Sequence, residues 1–231
     1  NRALRAMELF GKDMSISAEE FEQYKFDLHY SDDSYMSLFV DRLISLSDNF
    51  EDDQLQEGVN VLKAWDKNTD FENINASLPI ISFGWFMETL PTDVSDENLI
   101  ESFTYAVKYL YNHYGKLDVI WGKVNRLVRG SINLGVGGGP DISRAVYGIP
   151  TKEGYLKGYA GDAFLMMVEW GKDGEVNSRS IHQYGSNTQH ETSTHYADQS
   201  KLFVKQKLKP VWLKLQTIKE NLEHAYSPGN K

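Results

Sequence analysis

The chain has 231 residues, 41% of them hydrophobic and 13% aromatic, and a formal net charge of −9 at pH 7. That is enough apolar material for one large or two small domains with a real core, and the acidic balance argues against a nucleic-acid backbone as the main partner. No apolar run approaches the roughly 20 residues of a membrane span, and the lack of cysteine excludes disulfides, thiolate nucleophiles and Cys-ligated zinc.

Leu4, Met7 and Phe10 stand at helical spacing in the first ten residues, with Gly11 placed to end the helix. Ser17 followed by Glu20 is a capping-box pattern and starts a second helix, with Phe21, Tyr24 and Leu28 on one side. Residues 35–47 predict a third helix with Met36, Phe39, Val40, Leu43 and Leu46 inward. Residues 54–65 predict a fourth along Leu55, Val59, Leu62 and Trp65. A polar loop over 66–75 leads into an apolar, aromatic stretch at 77–89 that Pro91 ends. The next helix, 95–114, opens at Ser95 with acids in its first turn, which suit the macrodipole, and Gly115 closes it. Trp65, Phe83, Trp85 and Phe86 either pack in a core, the ordinary fate of such side chains, or line an apolar pocket.

The composition shifts near 115–121, and from Gly122 on the chain reads as loops and strands. Ala163–Trp170 and Val176–Gln183 flank a Gly-Lys-Asp-Gly turn and predict an antiparallel hairpin. Incomplete alternation in Phe164–Trp170 predicts a strand covered on both faces. A final helix is expected from Tyr196 to Lys207, with Leu202 and Phe203 on its apolar side. Its lysines, with others out to Lys214, form a solvated face or meet acids elsewhere. The sequence begins on Asn1 in a helical pattern, with no charged n-region or apolar h-region. We therefore expect a processed chain or the later part of a longer protein.

Familiar chemistries fail on spacing. His182, Ser186, His190 and His195, with Asp162, Glu191 or Asp198, invite a hydrolase triad, but no Gly-x-Ser-x-Gly elbow is present. A polar loop bonding to its own backbone is the better reading. His190 and His195 are five apart rather than the four that put two zinc ligands on one helix face. Gly135-Val136-Gly137-Gly138-Gly139-Pro140 has Pro where a dinucleotide loop needs Gly, and Pro-Asp where a phosphate loop needs Lys-Ser or Lys-Thr. It reads as a backbone crossing too tight for Cβ atoms.

What does not follow from generic folding rules is an ordered series of motifs. His182-Gln183-Tyr184-Gly185-Ser186 is followed by His195-Tyr196-Ala197-Asp198-Gln199, Leu202-Phe203 and Lys209-Pro210-Val211-Trp212. Upstream stand Trp121-Gly122-Lys123-Val124-Asn125-Arg126-Leu127, Gly137-Gly138-Gly139-Pro140-Asp141 and Ala160-Gly161-Asp162. In this order they resemble the C-terminal part of the β subunit in the penicillin acylase family. These are N-terminal nucleophile (Ntn) amidohydrolases, which include penicillin, acyl-homoserine lactone and aculeacin-type acylases. The resemblance is strong from about Asp118 onward and compatible over the helical first half.

The resemblance implies an α+β chain, with a helical front half and antiparallel strands belonging to an αββα sandwich. Residues 1–117 and 118–231 would both be parts of one larger acylase domain. It implies hydrolysis of N-acyl compounds through an acyl-enzyme on an N-terminal serine, with that serine and the oxyanion-hole asparagine upstream of residue 1. The chain alone is then expected to be inactive. Arg2 aligns with an arginine that supports the active site in such relatives, with Arg5 as the fallback; a surface arginine is the other reading. No cofactor is expected in this chain, and calcium belongs, if anywhere, to the whole enzyme. The implied partners are the rest of the precursor and a small N-acyl substrate, without nucleic acid or membrane span, in the periplasm or outside the cell. A non-catalytic binding module with an aromatic cleft is the alternative. An exposed apolar sheet face would mark a piece of a larger sandwich.

Overall fold

The computed structural model describes residues 1–225; the last residues of the expected 118–231 segment lie outside them. The order is α1 (Arg2–Phe10), α2 (Ala18–Lys25), α3 (Tyr35–Leu46), α4 (Asp53–Ala64), α5 (Ser77–Phe83), α6 (Asp96–Tyr114) and α7 (Trp121–Val124). Then come β1 (Asn125–Arg129), β2 (Ile132–Gly135), β3 (Val146–Pro150), β4 (Leu156–Gly161), β5 (Phe164–Trp170), β6 (Val176–His182), α8 (Ser200–Val204), β7 (Lys209–Pro210) and α9 (Leu215–Glu220). The fold is α+β, as the sequence predicts. Among the described residues no helix is long and apolar enough to cross a membrane.

Side-chain caps set the helix starts. Ser17 and Glu20 form a reciprocal capping box on α2, Ser34 accepts from the Ser37 amide on α3, and Asp52 accepts from the Gln54 and Leu55 amides on α4. Ser95 caps α6 through the Asn98 amide, and Gly115 ends that helix in the left-handed region at φ 70°. Around α6 the helical half builds one core. Leu99, Phe103 and Leu110 pack with Phe39 and Leu43 of α3 and Phe83 of α5, all fully buried. Leu46, expected inward, is only half-buried at the end of α3. Trp121 and Val124 of α7 and Leu156 of β4 join the same cluster, so the first core crosses into the strand half.

Four strands run β2-β1-β4-β3. The β1–β4 pair is parallel and the others antiparallel, so the sheet is not purely antiparallel as expected. The parallel pair arises because β1 and β4 are joined by a long excursion rather than a hairpin. The predicted hairpin is present: β5 pairs with β6 from Phe164–His182 to Trp170–Val176, and β7 adds to β6. Leu127 of β1, Val146 of β3, Leu165 of β5 and Ile181 of β6 meet Phe203 of α8 in a second cluster, which ties the two sheets together. Beside it the buried Arg144 guanidinium lies 3.9 Å from the Phe203 ring centroid, donates to the Phe203 carbonyl at 2.6 Å and faces Asp162 at 3.6 Å. Burial lowers the Arg144 pKa to about 10, against the opposing pull of Asp162.

Two expectations are corrected. β5 is not covered on both faces: Phe164, Met166, Val168 and Trp170, alternate residues on one side, are all exposed, while Leu165 turns inward. The exposed positions are themselves apolar, which is why alternation was hard to see. The C-terminal helix is Ser200–Val204 rather than 196–207. Residues before it fold as turns, the Gln199 side chain accepting from the His182 amide. After it Gln206 turns left-handed at φ 56°, with the Lys207 amide on the Leu202 carbonyl and the Gln206 amide on the Phe203 carbonyl, a Schellman closure. Phe203→Ala is expected to cost about 3–5 kcal/mol in urea unfolding, since it empties the seat between the two sheets. A loss below about 1 kcal/mol would show that the sheets do not depend on it.

Candidate functional site

The motif Gly135 to Pro140 is a backbone crossing. A Cβ on Gly135 would stand 2.2 Å from the Gly122 carbonyl oxygen, and one on Gly138, at φ 101°, 2.4 Å from that of Arg144. Stripped of side chains, the segment exchanges backbone hydrogen bonds with three neighbours. Val136 donates to Asn125, Gly138 to Thr69 and Gly139 to Arg144. The buried Trp121 indole donates to the Gly138 carbonyl at 2.7 Å.

The crossing delivers Pro140 and Asp141 to the N-terminal end of α1. The buried Tyr30 hydroxyl donates to the Pro140 carbonyl at 2.6 Å. Burial first, and then the charge of Asp141, push its pKa well up, so it stays protonated as a donor. Asp141 itself is left-handed at φ 56°, which Asp tolerates better than most residues. Its amide donates to the Tyr147 hydroxyl at 3.1 Å. Arg2, on the first turn of α1, reaches both: Nε stands 3.5 Å from Asp141 Oδ1 and Nη2 3.5 Å from the Tyr147 hydroxyl. Its side chain is 57% exposed. The guanidinium is therefore presented rather than buried, held at the outer limit of hydrogen bonding, with donors to spare for a further acceptor.

Arg5, one turn on, is committed elsewhere. It grips Asp27 with two donors, at 3.1 and 2.8 Å, and meets Glu8 at 2.5 Å; Glu8 accepts from the Ser31 hydroxyl at 2.6 Å. Burial alone would raise the Asp27 carboxyl. Hydrogen bonds from His29 and Arg5, with the Arg5 charge, overcome that and hold it down to about 2. Arg5 thus locks α1 onto the chain after α2, while Arg2 is the arginine left to face a ligand.

Pro140 and Tyr147 also form part of the wall of a cavity of about 190 Å³ between α5, the turn at Gly84–Phe86 and strands β3 and β4. Ile81, Trp121 and Val146 make its buried floor, and Trp85 and Tyr159, both more than half exposed, stand at its rim. Of the aromatic side chains considered from sequence as pocket residues, Trp85 alone lines this cavity. Trp65 and Phe83 are core, and Phe86 packs against it.

The other candidates separate. His195 Nδ1 lies 2.9 Å from Asp198 and Nε2 2.7 Å from Glu223, so both ring nitrogens are spent on carboxylates. Asp198 first, then Glu223, raises its pKa to about 8. Ser186 and His190 are exposed, the His182 ring packs on Phe164 at 4.8 Å, and Asp162 pairs with Lys25 at 2.9 Å. Glu191 meets only the Tyr196 hydroxyl, at 3.5 Å, among the hydrogen bonds of the described residues. Among the described residues no group of three or more His, Asp or Glu side chains is placed to hold a metal ion. Lys214 meets an acid, Glu175, at 2.9 Å. Sequence reasoning missed Tyr30, Tyr147 and Asn125. Only the Gly-Pro-Asp run carried a signal, since Asp after Gly-Pro suits a left-handed turn.

Comparison with known proteins gives one family and one structural likeness. The family described as penicillin amidase matches residues 1–220. No curated protein sequence matches. Among solved structures, a thermostable penicillin G acylase from Alcaligenes faecalis is similar at 14% identity with a TM-score of 0.44, over 96% of this chain and 51% of that one. The chain therefore spans about half the length of that structure; at that score the likeness carries no weight of its own.

The Arg5–Asp27 lock carries a pH signature. The Asp27 pKa is lower folded than its ordinary 3.8, so the lock's contribution is complete above about pH 4 and is lost as pH falls toward about 2. It amounts to about 2 kcal/mol. Asp27→Asn should lose about that much stability at pH 6 and converge on the parent near pH 2. A constant difference across that range would contradict the assignment.

Proposed function

The chain belongs to the penicillin amidase family, and from that premise we propose that it is part of an acylase hydrolysing the amide bond of N-acyl compounds. Penicillins, acyl-homoserine lactones and acylated peptides are the candidate substrates. The observation that carries the reading is the family match over residues 1–220. The geometry is compatible with it: an exposed guanidinium stands beside an aromatic cavity.

In this proposal the nucleophile is the hydroxyl of a serine at the start of a processed subunit, outside these 231 residues. Its α-amino group, which titrates near neutrality, takes the hydroxyl proton as the oxygen attacks the amide carbon. The proton passes to the leaving amine as the C–N bond breaks, and water then frees the acid from the acyl-enzyme. Arg2 is assigned a supporting role, its planar fork holding a carbonyl or carboxylate oxygen of the substrate or the oxyanion-hole asparagine. The way His195 is engaged supports placing the nucleophile elsewhere: this histidine spends both nitrogens on carboxylates rather than on a serine.

The uncovered β5 face supports a partner layer. Phe164, Met166, Val168 and Trp170 form an apolar stripe on an edge strand, a surface that soluble proteins normally cover. We assign that cover to the remainder of the acylase precursor. Export to the periplasm or beyond the cell, and calcium bound elsewhere in the enzyme, complete the proposal.

The test is hydrolysis of a panel of N-acyl amides by the full gene product, with release of the amine measured. Turnover should vanish when the N-terminal serine is replaced by alanine. Arg2→Ala should lower kcat/KM about 10- to 100-fold, the size of one or two charge-assisted hydrogen bonds, with the melting temperature nearly unchanged. Unaltered kcat/KM in Arg2→Ala would remove Arg2 from the site, and no turnover of any N-acyl amide would end the acylase reading.

A further inference from the structure

Asn125 begins β1 and is 1% exposed, on the wall of the aromatic cavity. Its side-chain orientation is fixed by chemistry. Nδ2 lies 3.0 Å from the Val136 carbonyl oxygen and 3.3 Å from that of Gly138, and carbonyl oxygens only accept, so the amide nitrogen must face them. Val136 and Gly138 do not line the cavity. The opposite edge of the amide, Oδ1, is left toward it. That oxygen is buried and, among the described residues, has no hydrogen-bond partner. A buried acceptor left unmade is costly, and each one in a folded protein calls for an occupant or a reason.

The rest of the cavity says what the occupant is like. Ile81, Met87, Pro140, Val146 and Leu156 present only apolar side-chain atoms, save the Met87 sulfur, and Trp121 has spent its indole N–H on Gly138. A water molecule needs two to four polar partners; of the buried unpartnered side-chain atoms found, Asn125 Oδ1 is the one on this wall. The space, about 190 Å³, is of the size that takes a single aromatic ring. An apolar cavity of about 150 Å³ binds benzene. Trp85 and Tyr159 at the rim leave the cavity open to solvent.

We propose that this cavity is a binding site for a small neutral aromatic molecule with one O–H or N–H donor, a phenol or an aromatic amide, whose donor bonds to Asn125 Oδ1. The exposed Glu88 carboxylate on the rim disfavours an anionic ligand such as an aromatic acid. The site does not rest on the acylase reading, because no residue invoked here is asked to take part in amide cleavage.

The test is fluorine NMR on the full gene product, titrated separately with 4-fluorophenol and 4-fluorotoluene, which share a body and differ in the donor. The phenol should bind saturably at one site, about fivefold to tenfold tighter than the toluene, the increment of one neutral hydrogen bond. Gly84→Leu should weaken both at least about tenfold by crowding the wall. Its backbone has an ordinary helical φ of −57°, and a Cβ there meets Pro140 at a normal 3.4 Å. Equal affinity for the two probes would show that Asn125 Oδ1 is not read. Binding of neither, or binding indifferent to a folded Gly84→Leu, would overturn the site. Amide hydrolysis, measured on the same samples, has no bearing on these outcomes: probe binding without turnover leaves this inference standing and fails the acylase reading alone.

Discussion

The backbone crossing at Gly135 to Pro140 is the constraint on which the rest depends. Wherever a Cβ at Gly135 or Gly138 would strike a neighbouring carbonyl, the chain has glycine. The close approach that results lets one segment bond to the loop before α5, to the start of β1 and to the turn before β3. Trp121 and Asn125 both spend donors on its carbonyls. Because the helical core and the sheet core meet at this point, the same segment that closes the fold also places Pro140 and Asp141 between α1 and the cavity.

The two arginines of α1 show how position decides role. Arg2 and Arg5 are three residues apart, and their ordinary chemistry is identical. Arg5 is largely buried and doubly bonded to a buried carboxylate, so its geometry is fixed and its donors are consumed. Arg2 is exposed, with contacts long enough to yield to a better acceptor. A structural lock and a presented guanidinium on successive turns give α1 a fixed placement with one free charged group. That is the arrangement a supporting residue needs.

The helical half was legible in the sequence because its signals are local. Ser17 with Glu20, Ser95 and Gly115 each act within a few residues, and the periodic Met36, Phe39, Val40 and Leu43 form the buried face they predict. The hairpin at 164–182 was legible for the same reason. The parallel pairing of β1 with β4, the burial of Arg144 and the approach of Asp141 to Arg2 across 139 residues are long-range and carry no local pattern. The overlong helix at 196–207 was an error of periodicity: Leu202 and Phe203 satisfy a helical spacing that the left-handed Gln206 ends. The ordered motifs reported the family, but not which of their residues face a ligand.

The measurement that bears most directly on the account is a crystal structure of the full gene product, its nucleophile disabled, with an N-acyl amide bound. The account predicts the Arg2 guanidinium within hydrogen-bonding distance of the substrate or of the group that binds its carbonyl oxygen, with Asp141 and Tyr147 still flanking it. A substrate bound more than about 6 Å from Arg2, beyond the reach of a direct hydrogen bond, with the guanidinium still in water, would contradict the placement of the site at the head of α1.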